Sequence, residues 1–239
     1  MSVKAEHSGF TQFALLLQEG MSVASNLARI RGAMGGNKVT LIAVAKSASL
    51  TQIEEAFESG VTEFGENRIQ DAIDRRGQLP EHIATNCNWH FIGHLQTNKV
   101  KKAVGYFQLI HSVDSLRLAS EISLEASKKN MVQSVLIQVK ILTDDTKSGY
   151  TPETLKKEMA DLLKLSNIKI EGLMTISPLI EDRDTWFQCF NGLRNLRDEL
   201  AQKHSIELKE LSMGMSADWL EAVEAGSTMV RLGRAIFQV

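Results

Sequence analysis

LSMGMSADWLEAVEAGSTMVRLGRAIF, residues 211–237, contains two small-residue turns, Ser212-Met213-Gly214-Met215-Ser216 and Gly233-Arg234-Ala235. Each turn directly follows a short apolar run. Between them ADWLEAVEAG (217–226) has the length and closing glycine of a helix, and TMVRLG (228–233) is strand-like. Strand, turn, helix and strand in that order make a βαβ unit, whose strands run parallel.

The same unit repeats toward the N-terminus. Strand-like runs are TLIAVAK (40–46), TEFGEN (62–67), NWHFIG (88–93), LIHSVD (109–114), SVLIQVKI (134–141), IKIEGLMTIS (168–177), IELKELSMG (206–214) and TMVRLG (228–233). Helical patterns separate them: SLTQIEEAFESG, RIQDAIDRRGQL, QTNKVKKAV, SLRLASEISLEASKKN, PETLKKEMADLLKLS with Pro152 at a permitted first-turn position, DTWFQCFNGLRNLRDELAQKH and ADWLEAVEAG. Eight strands alternating with helices in 239 residues predict a single (β/α)₈ TIM-type barrel spanning 1–239. The competing architecture, a doubly wound open sheet, has fewer strands and a Gly-rich first turn, where this chain has AKSAS. The eighth strand has almost no chain after it. Phe10, Phe13, Leu17, Met21, Ala24, Leu27 and Ile30 recur at helical steps before strand 1, so a helix over 10–31 is expected to fill the missing outer position.

Bulk properties narrow the function. Hydrophobic residues make up 43% and charged residues 23%, with a net charge of −2, which gives no case for nucleic acid or an anionic membrane surface as partner. No apolar run approaches a membrane span, and MSVKAEHSGF has no signal-peptide core. Cys87 and Cys189 form no CxxC pair and read as free thiols of a reducing compartment, so the expected location is cytoplasmic.

In a barrel of this kind function sits at the C-terminal strand ends. Those ends are Lys46, Glu66 with Asn67, Gly93 with His94, Asp114, Ser177, the 212–216 turn, and Gly233 with Arg234. Lys46 closes an apolar strand. A lysine there either snorkels to solvent or loses its proton and serves as a Schiff-base amine. The loops after strands 7 and 8 of barrels often bind phosphate. A helix beginning near Ser216 would present free N–H groups, Gly214 would let the backbone come close, and Gly233-Arg234 would add further donors. Taken singly, Ser216 is better read as an N-cap and Gly233 as a turn residue. Together with Lys46 the two turns point to a phosphorylated carbonyl compound. Arg231, inside the last strand, is costly without a partner; it is either one half of a buried ion pair or a fixed cation facing the ligand.

Other features carry less. His90, His94 and His111 lack dense metal-ligand spacing, and a structural role fits them better. GHLQTNK (93–99) fails the phosphate-loop pattern at Asn98 and Val100. Cys189, amid Trp186, Phe187 and Phe190, reads as core.

IAVAKSAS, FGEN, WHFIGHLQTNKVKK, HSVDS, VLIQVK, KSG, GLMTI, LSMGMSADW and GSTMVRLGRAIF resemble, in order, the YggS/PROSC family of pyridoxal 5′-phosphate-binding homeostasis proteins. The resemblance implies a fold-type III barrel similar to the N-terminal domain of alanine racemase, with pyridoxal phosphate carried as a Schiff base on Lys46. It implies Asn67 and Met174 beside the cofactor ring, Ser216, Gly233 and Arg234 at the phosphate, and Arg231 facing the pyridine nitrogen. A cation there disfavours a protonated ring nitrogen and weakens the cofactor as an electron sink. Arg68, Lys140, Arg234 and Gln238 depart from the family's usual Tyr, Asn, Thr or Ser, and Gly. Arg234 removes a hydroxyl from the phosphate shell while keeping the backbone N–H.

The resemblance implies a role in vitamin B6 and amino-acid balance, with pyridoxal-phosphate-dependent apoenzymes as recipients, rather than catalysis. The alternative is a pyridoxal-phosphate-dependent amino-acid racemase. That chemistry needs a second acid/base on the far cofactor face, a tyrosine supplied in alanine racemase by a further domain of a partner subunit. Here Tyr106 and Tyr150 are the only tyrosines and neither ends a strand-like run. The expectation is therefore a monomer with little or no turnover. The residues by themselves also permit a Schiff-base aldolase acting on a sugar phosphate.

Overall fold

In a computed structural model, residues 22–142, 148–178 and 182–238 are described. All eight expected strands are present: β1 (Thr40–Val44), β2 (Glu63–Glu66), β3 (Asn88–Phe91), β4 (Leu109–Val113), β5 (Gln133–Gln138), β6 (Ile168–Met174), β7 (Glu210–Ser212) and β8 (Met229–Leu232). They pair in parallel in sequence order, and β1 pairs β8 to close the barrel, with Thr40 opposite Met229 and Ala43 opposite Leu232. Most strands are shorter than their sequence runs because residues at their ends leave the ladder for loops, at the C-terminal end in β1 and β6 and at both ends in β7. β7 is cut back most, to three residues.

Alternation along each strand sorts side chains into two sets. Ala43, Phe64, Phe91, Ile110, Val135, Leu173, Leu211 and Val230 face outward into the large core under the helices. Ile42, Leu109, Leu136, Met174 and Met229 form a separate cluster inside the barrel, with Ile176 against it. The expected helices stand between the strands, several held by side-chain caps. Ser49 and Gln52 form a capping box on Leu50–Glu58, while Ser115, Thr151 and Asp182 cap the helices that follow them. QTNKVKKAV is a 3₁₀ turn, Thr97–Lys99, followed by one helical turn, Val100–Ala103. Two short helices, Glu81–Asn86 and Arg234–Phe237, had no periodicity long enough to announce them.

The helix before β1 is Val23–Met34, not a continuous helix over 10–31. Ser22 is extended and forms a capping box with Ser25, which starts the helix there. Residues 10–21 of the expected helix lie outside the described residues. What is described does occupy the eighth outer position. Val23, Leu27, Ile30 and Met34 face the core. Asn26 Nδ2 donates to the Ile236 carbonyl at 3.0 Å, and Glu55 Oε1 accepts the Ala24 N–H at 3.0 Å. Gln52 Nε2 also donates to the Phe237 carbonyl at 2.9 Å, so the last turn is tied from two helices.

Candidate functional site

β1 ends at Val44, and Lys46 stands beyond it on a 3₁₀ turn, Ala45–Ser47, with its side chain exposed. The turn is braced from the next unit. Arg75 reaches back from helix Ile69–Gln78, donating Nη1 to the Ala48 carbonyl and Nε to Glu66 Oε1, both at 2.7 Å. Glu66 is thus not part of the barrel mouth. It faces outward, fully buried, and burial raises its carboxyl above the usual range against the pull of Arg75.

The turns after β7 and β8 meet. Ala235 donates its N–H to Ser216 Oγ at 3.2 Å. Ser216 is not a helix N-cap, because the helix after β7 starts only at Trp219 and Asp218 holds the cap position. The Asp218 side chain turns back instead: Oδ1 accepts the Met215 N–H at 2.6 Å, and Oδ2 accepts the Ser177 hydroxyl. Gly214 has φ +96°, and a Cβ there would lie 2.6 Å from Ala222 Cβ, so only glycine passes between β7 and its helix. Gly233 packs on Val44, with a Cβ position 3.4 Å from the Val44 carbonyl. This places the β8 turn against the strand end that carries Lys46. Arg234 is exposed in the first turn of Arg234–Phe237, where backbone N–H groups lack intrahelical partners.

Arg231 projects into the barrel interior and is 4% exposed. Among the described residues it makes no hydrogen bond to a carboxylate, so the ion-pair alternative is not what is seen there. Nη1 donates to Ser212 Oγ at 2.6 Å and Nη2 to the Thr175 carbonyl at 2.9 Å. Burial lowers its pKa to about 10, with the Asp218 charge acting the other way. Met174, the last residue of β6, belongs to the interior cluster. Asn67 follows β2, and its Oδ1 is buried without a hydrogen-bond partner among the described residues. Gly93 is pressed on the Asn67 backbone, where a Cβ would sit 2.1 Å from the carbonyl oxygen. Arg68 lines a cleft of about 240 Å³ beside Asn67, with Phe91, His94, Gln96 and Lys99.

Lys46, Asn67, Met174, Ser216, Arg231, Gly233 and Arg234 therefore all gather at or just inside one end of the barrel. His94 and Asp114, 3.4 Å apart, lie at the rim. No group of three or more His, Cys, Asp or Glu among the described residues could hold a metal, and none of their helices is long and apolar enough to cross a membrane. Cys87 and Cys189 are buried.

What the sequence did not announce is a polar chain through the barrel. Ser212 Oγ is 2.9 Å from His111 Nδ1, His111 Nε2 is 2.9 Å from His90 Nδ1, and His90 Nε2 is 2.7 Å from Glu63 Oε2. His111 is fully buried, and burial, then His90 and Arg231, hold its pKa well below the ordinary 6.5. Burial pushes Glu63 up, but hydrogen bonds from His90 and Asn88 outweigh it and leave the carboxyl below its usual range. A histidine depressed in the folded state leaves the unfolded chain binding more protons, so its contribution is lost as pH falls below the ordinary 6.5. Denaturant melts between pH 7.5 and 5 are expected to fall more steeply for the parent than for His111→Gln.

A family model described as "Alanine racemase, N-terminal domain" matches residues 21–239. The pyridoxal phosphate homeostasis protein of Synechocystis sp. is 44% identical over 199 residues, covering 83% of this chain and 90% of that protein. The Escherichia coli K12 protein of the same name is 32% identical over 224 residues, covering 90% and 95%. Among solved structures, PipY of Synechococcus elongatus PCC7942 with PLP bound superposes with a TM-score of 0.83 at 38% identity, covering 90% of this chain and 100% of that one. Alanine racemase of Clostridium difficile, at 16% identity and a TM-score of 0.76, shares the fold over 90% of this chain and 56% of its own.

Proposed function

The chain belongs to the pyridoxal phosphate homeostasis proteins, within the alanine racemase N-terminal domain family, and from that premise we propose that it binds pyridoxal 5′-phosphate and serves the cofactor's homeostasis without turnover of its own. The observation that carries this reading is the joining of the two closing turns through Ser216 and Ala235, against the strand end that bears Lys46.

The residues fit the group. Lys46 offers an amine at the barrel mouth to bind the aldehyde carbon with loss of water. Ser216 and the backbone of Gly233 and Arg234 would hold the phosphate, and the exposed Arg234 guanidinium would add a charged donor where the family resemblance leads one to expect a hydroxyl. Asn67, whose buried Oδ1 has no partner among the described residues, and Met174 would flank the ring. Arg231 would oppose the pyridine nitrogen. Bound there, the cofactor supplies an electrophilic carbon and an electron-withdrawing ring. The cation at Arg231 disfavours a protonated ring nitrogen and so restrains the ring's capacity to stabilise a carbanion.

The two tyrosines support a non-catalytic role over a racemase. Tyr106 donates its hydroxyl to the Ala72 carbonyl at 3.1 Å, and Tyr150 donates to Glu158 at 3.0 Å. Burial raises the pKa of both. Neither is free to act as the second base. The protein is proposed to work as a monomeric single-barrel unit in the reducing cytoplasm, with pyridoxal-phosphate-dependent apoenzymes as recipients.

Borohydride reduction of the cofactor-treated protein followed by peptide mass spectrometry is expected to find a pyridoxyl group on Lys46. The Lys46→Ala variant should stay colourless with no modified peptide. A parent protein that takes up no colour overturns the reading. Racemisation of a free amino acid by the parent, abolished in Lys46→Ala, would establish the racemase instead.

A further inference from the structure

We propose that Glu63, His90, His111 and Ser212 are positioning residues for Arg231, forming a one-way chain of hydrogen bonds that carries the state of the barrel's opposite face to the guanidinium. The inference rests on the cofactor reading only for what lies beyond Arg231; the chain itself is a property of the protein.

The direction follows from the two ends. A guanidinium only donates and an ionised carboxylate only accepts. Ser212 Oγ accepts from Arg231 Nη1 at 2.6 Å, so its hydroxyl hydrogen is available for His111 Nδ1 at 2.9 Å. His111 then carries its proton on Nε2 and donates to His90 Nδ1 at 2.9 Å. His90 carries its proton on Nε2 and donates to Glu63 at 2.7 Å. Every hydrogen in the chain has an acceptor, and both rings are neutral.

The alternative arrangement is worse for an identifiable reason. If His90 gains a proton, both its nitrogens donate, and His111 must move its own proton to Nδ1. Ser212 Oγ then faces two donors, Arg231 and His111, and its hydroxyl hydrogen leaves the chain. A buried hydroxyl without an acceptor is destabilising, and the added charge sits in the same interior as Arg231. The depressed pKa of His111 agrees with a neutral ring.

The chain also spans the barrel. Ser212 and His111 are fully buried and His90 nearly so, while the Glu63 side chain is 23% exposed at the N-terminal end of β2. Lys46 and the closing turns stand at the C-terminal ends of their strands. Among the described residues, few charged and titratable groups act on the chain. Cys87, whose thiol is pushed up to about 11 by burial and then by Glu63, stays neutral. Arg76 acts on Cys87, and Asp218 acts on Arg231. Glu63 is the point at which solvent can set the direction of the chain. A barrel filled with apolar side chains would avoid the desolvation of these groups, so their presence argues for orientation rather than stability.

Two measurements test this. Nitrogen-15 NMR of histidine-labelled protein without cofactor should show His90 and His111 as neutral Nε2–H tautomers at pH 7.5. An Nδ1–H form of His111, or a doubly protonated His90, overturns the chain whether or not the protein binds any cofactor. The second measurement follows the absorbance of bound pyridoxal phosphate against pH in the parent, Glu63→Gln and Glu63→Asp. Glu63→Gln, a near-isosteric change at the solvent end, no longer enforces the direction. It should move the midpoint by about half a unit or more and weaken cofactor retention about five- to tenfold, with Glu63→Asp restoring the parent profile. An unmoved profile and unchanged retention in a folded Glu63→Gln protein overturns the coupling. A parent that binds no cofactor overturns the proposed function and the coupling together, leaving the tautomers to decide the chain.

Discussion

Gly172→Ala is expected to cost about 3 kcal/mol or more of stability, enough to leave little folded protein at 37 °C. A Cβ at Gly172 would lie 1.9 Å from the Glu210 carbonyl oxygen and 2.6–2.7 Å from its carbonyl carbon and amide nitrogen. All three are backbone atoms, so no side chain can swing away. β6 is already irregular here, for its pairing with β5 skips from Ile170 to Gly172. Relief requires β6 and β7 to separate, which breaks the register of Gly172 with Glu210 and Met174 with Ser212. That seam carries Thr175 and Ser212, the two partners of Arg231. Thermal or denaturant melts of Gly172→Ala beside Gly77→Ala, whose Cβ would meet nothing within 4 Å, check this. Equal stability of the two variants would refute it.

Asp218→Ala should be nearly as damaging, at about 3 kcal/mol. Asp218 is 2% exposed, and its carboxylate accepts the Met215 N–H and the Ser177 hydroxyl, fixing the turn after β7. It is also the negative charge that acts on the buried Arg231. Alanine removes both acceptors, leaves a gap and strips Arg231 of that charge. Asp218→Asn keeps the shape and an oxygen for Met215, so its stability loss should be closer to about 1 kcal/mol. Cofactor retention separates the two effects. If the charge matters to Arg231, Asp218→Asn releases pyridoxal phosphate faster than its small stability loss explains. Melts and cofactor-release rates for both variants provide the check.

The fold was legible because each strand-helix unit is written in two periods, apolar runs of strand length and longer runs spaced for a helix. The closing strand order and the helix before β1 followed from counting those units. The rim of the candidate site was legible for a related reason: residues at strand ends lie at one face whatever the interior does. Strand ends do not reveal depth or facing, however. Glu66 proved to face outward toward Arg75, and Ser216 proved to bridge to Ala235 rather than cap a helix. The interior was harder still. β3 has four residues, too few to separate inward from outward by alternation, and β4 carries a register shift between Ile110 and Val113 that upsets any count through His111. The available clue was Arg231, which needed polar partners at inward positions of other strands. Nothing in the spacing of His90, His111 and Ser212 identified them as those partners.

The closure of β1 on β8 has a consequence in time. Lys46 follows the first strand, whereas Ser216, Arg231 and Gly233 belong to the last two, and Thr40 finds Met229 only across nearly the whole barrel. Such distant pairings are the slowest to form. During synthesis, which runs from the N-terminus, the lysine emerges long before the turns that would hold a phosphate. On the proposed function, a nascent chain exposes the Lys46 amine with no cradle, and selective capture of the cofactor would wait until the ring of strands is complete.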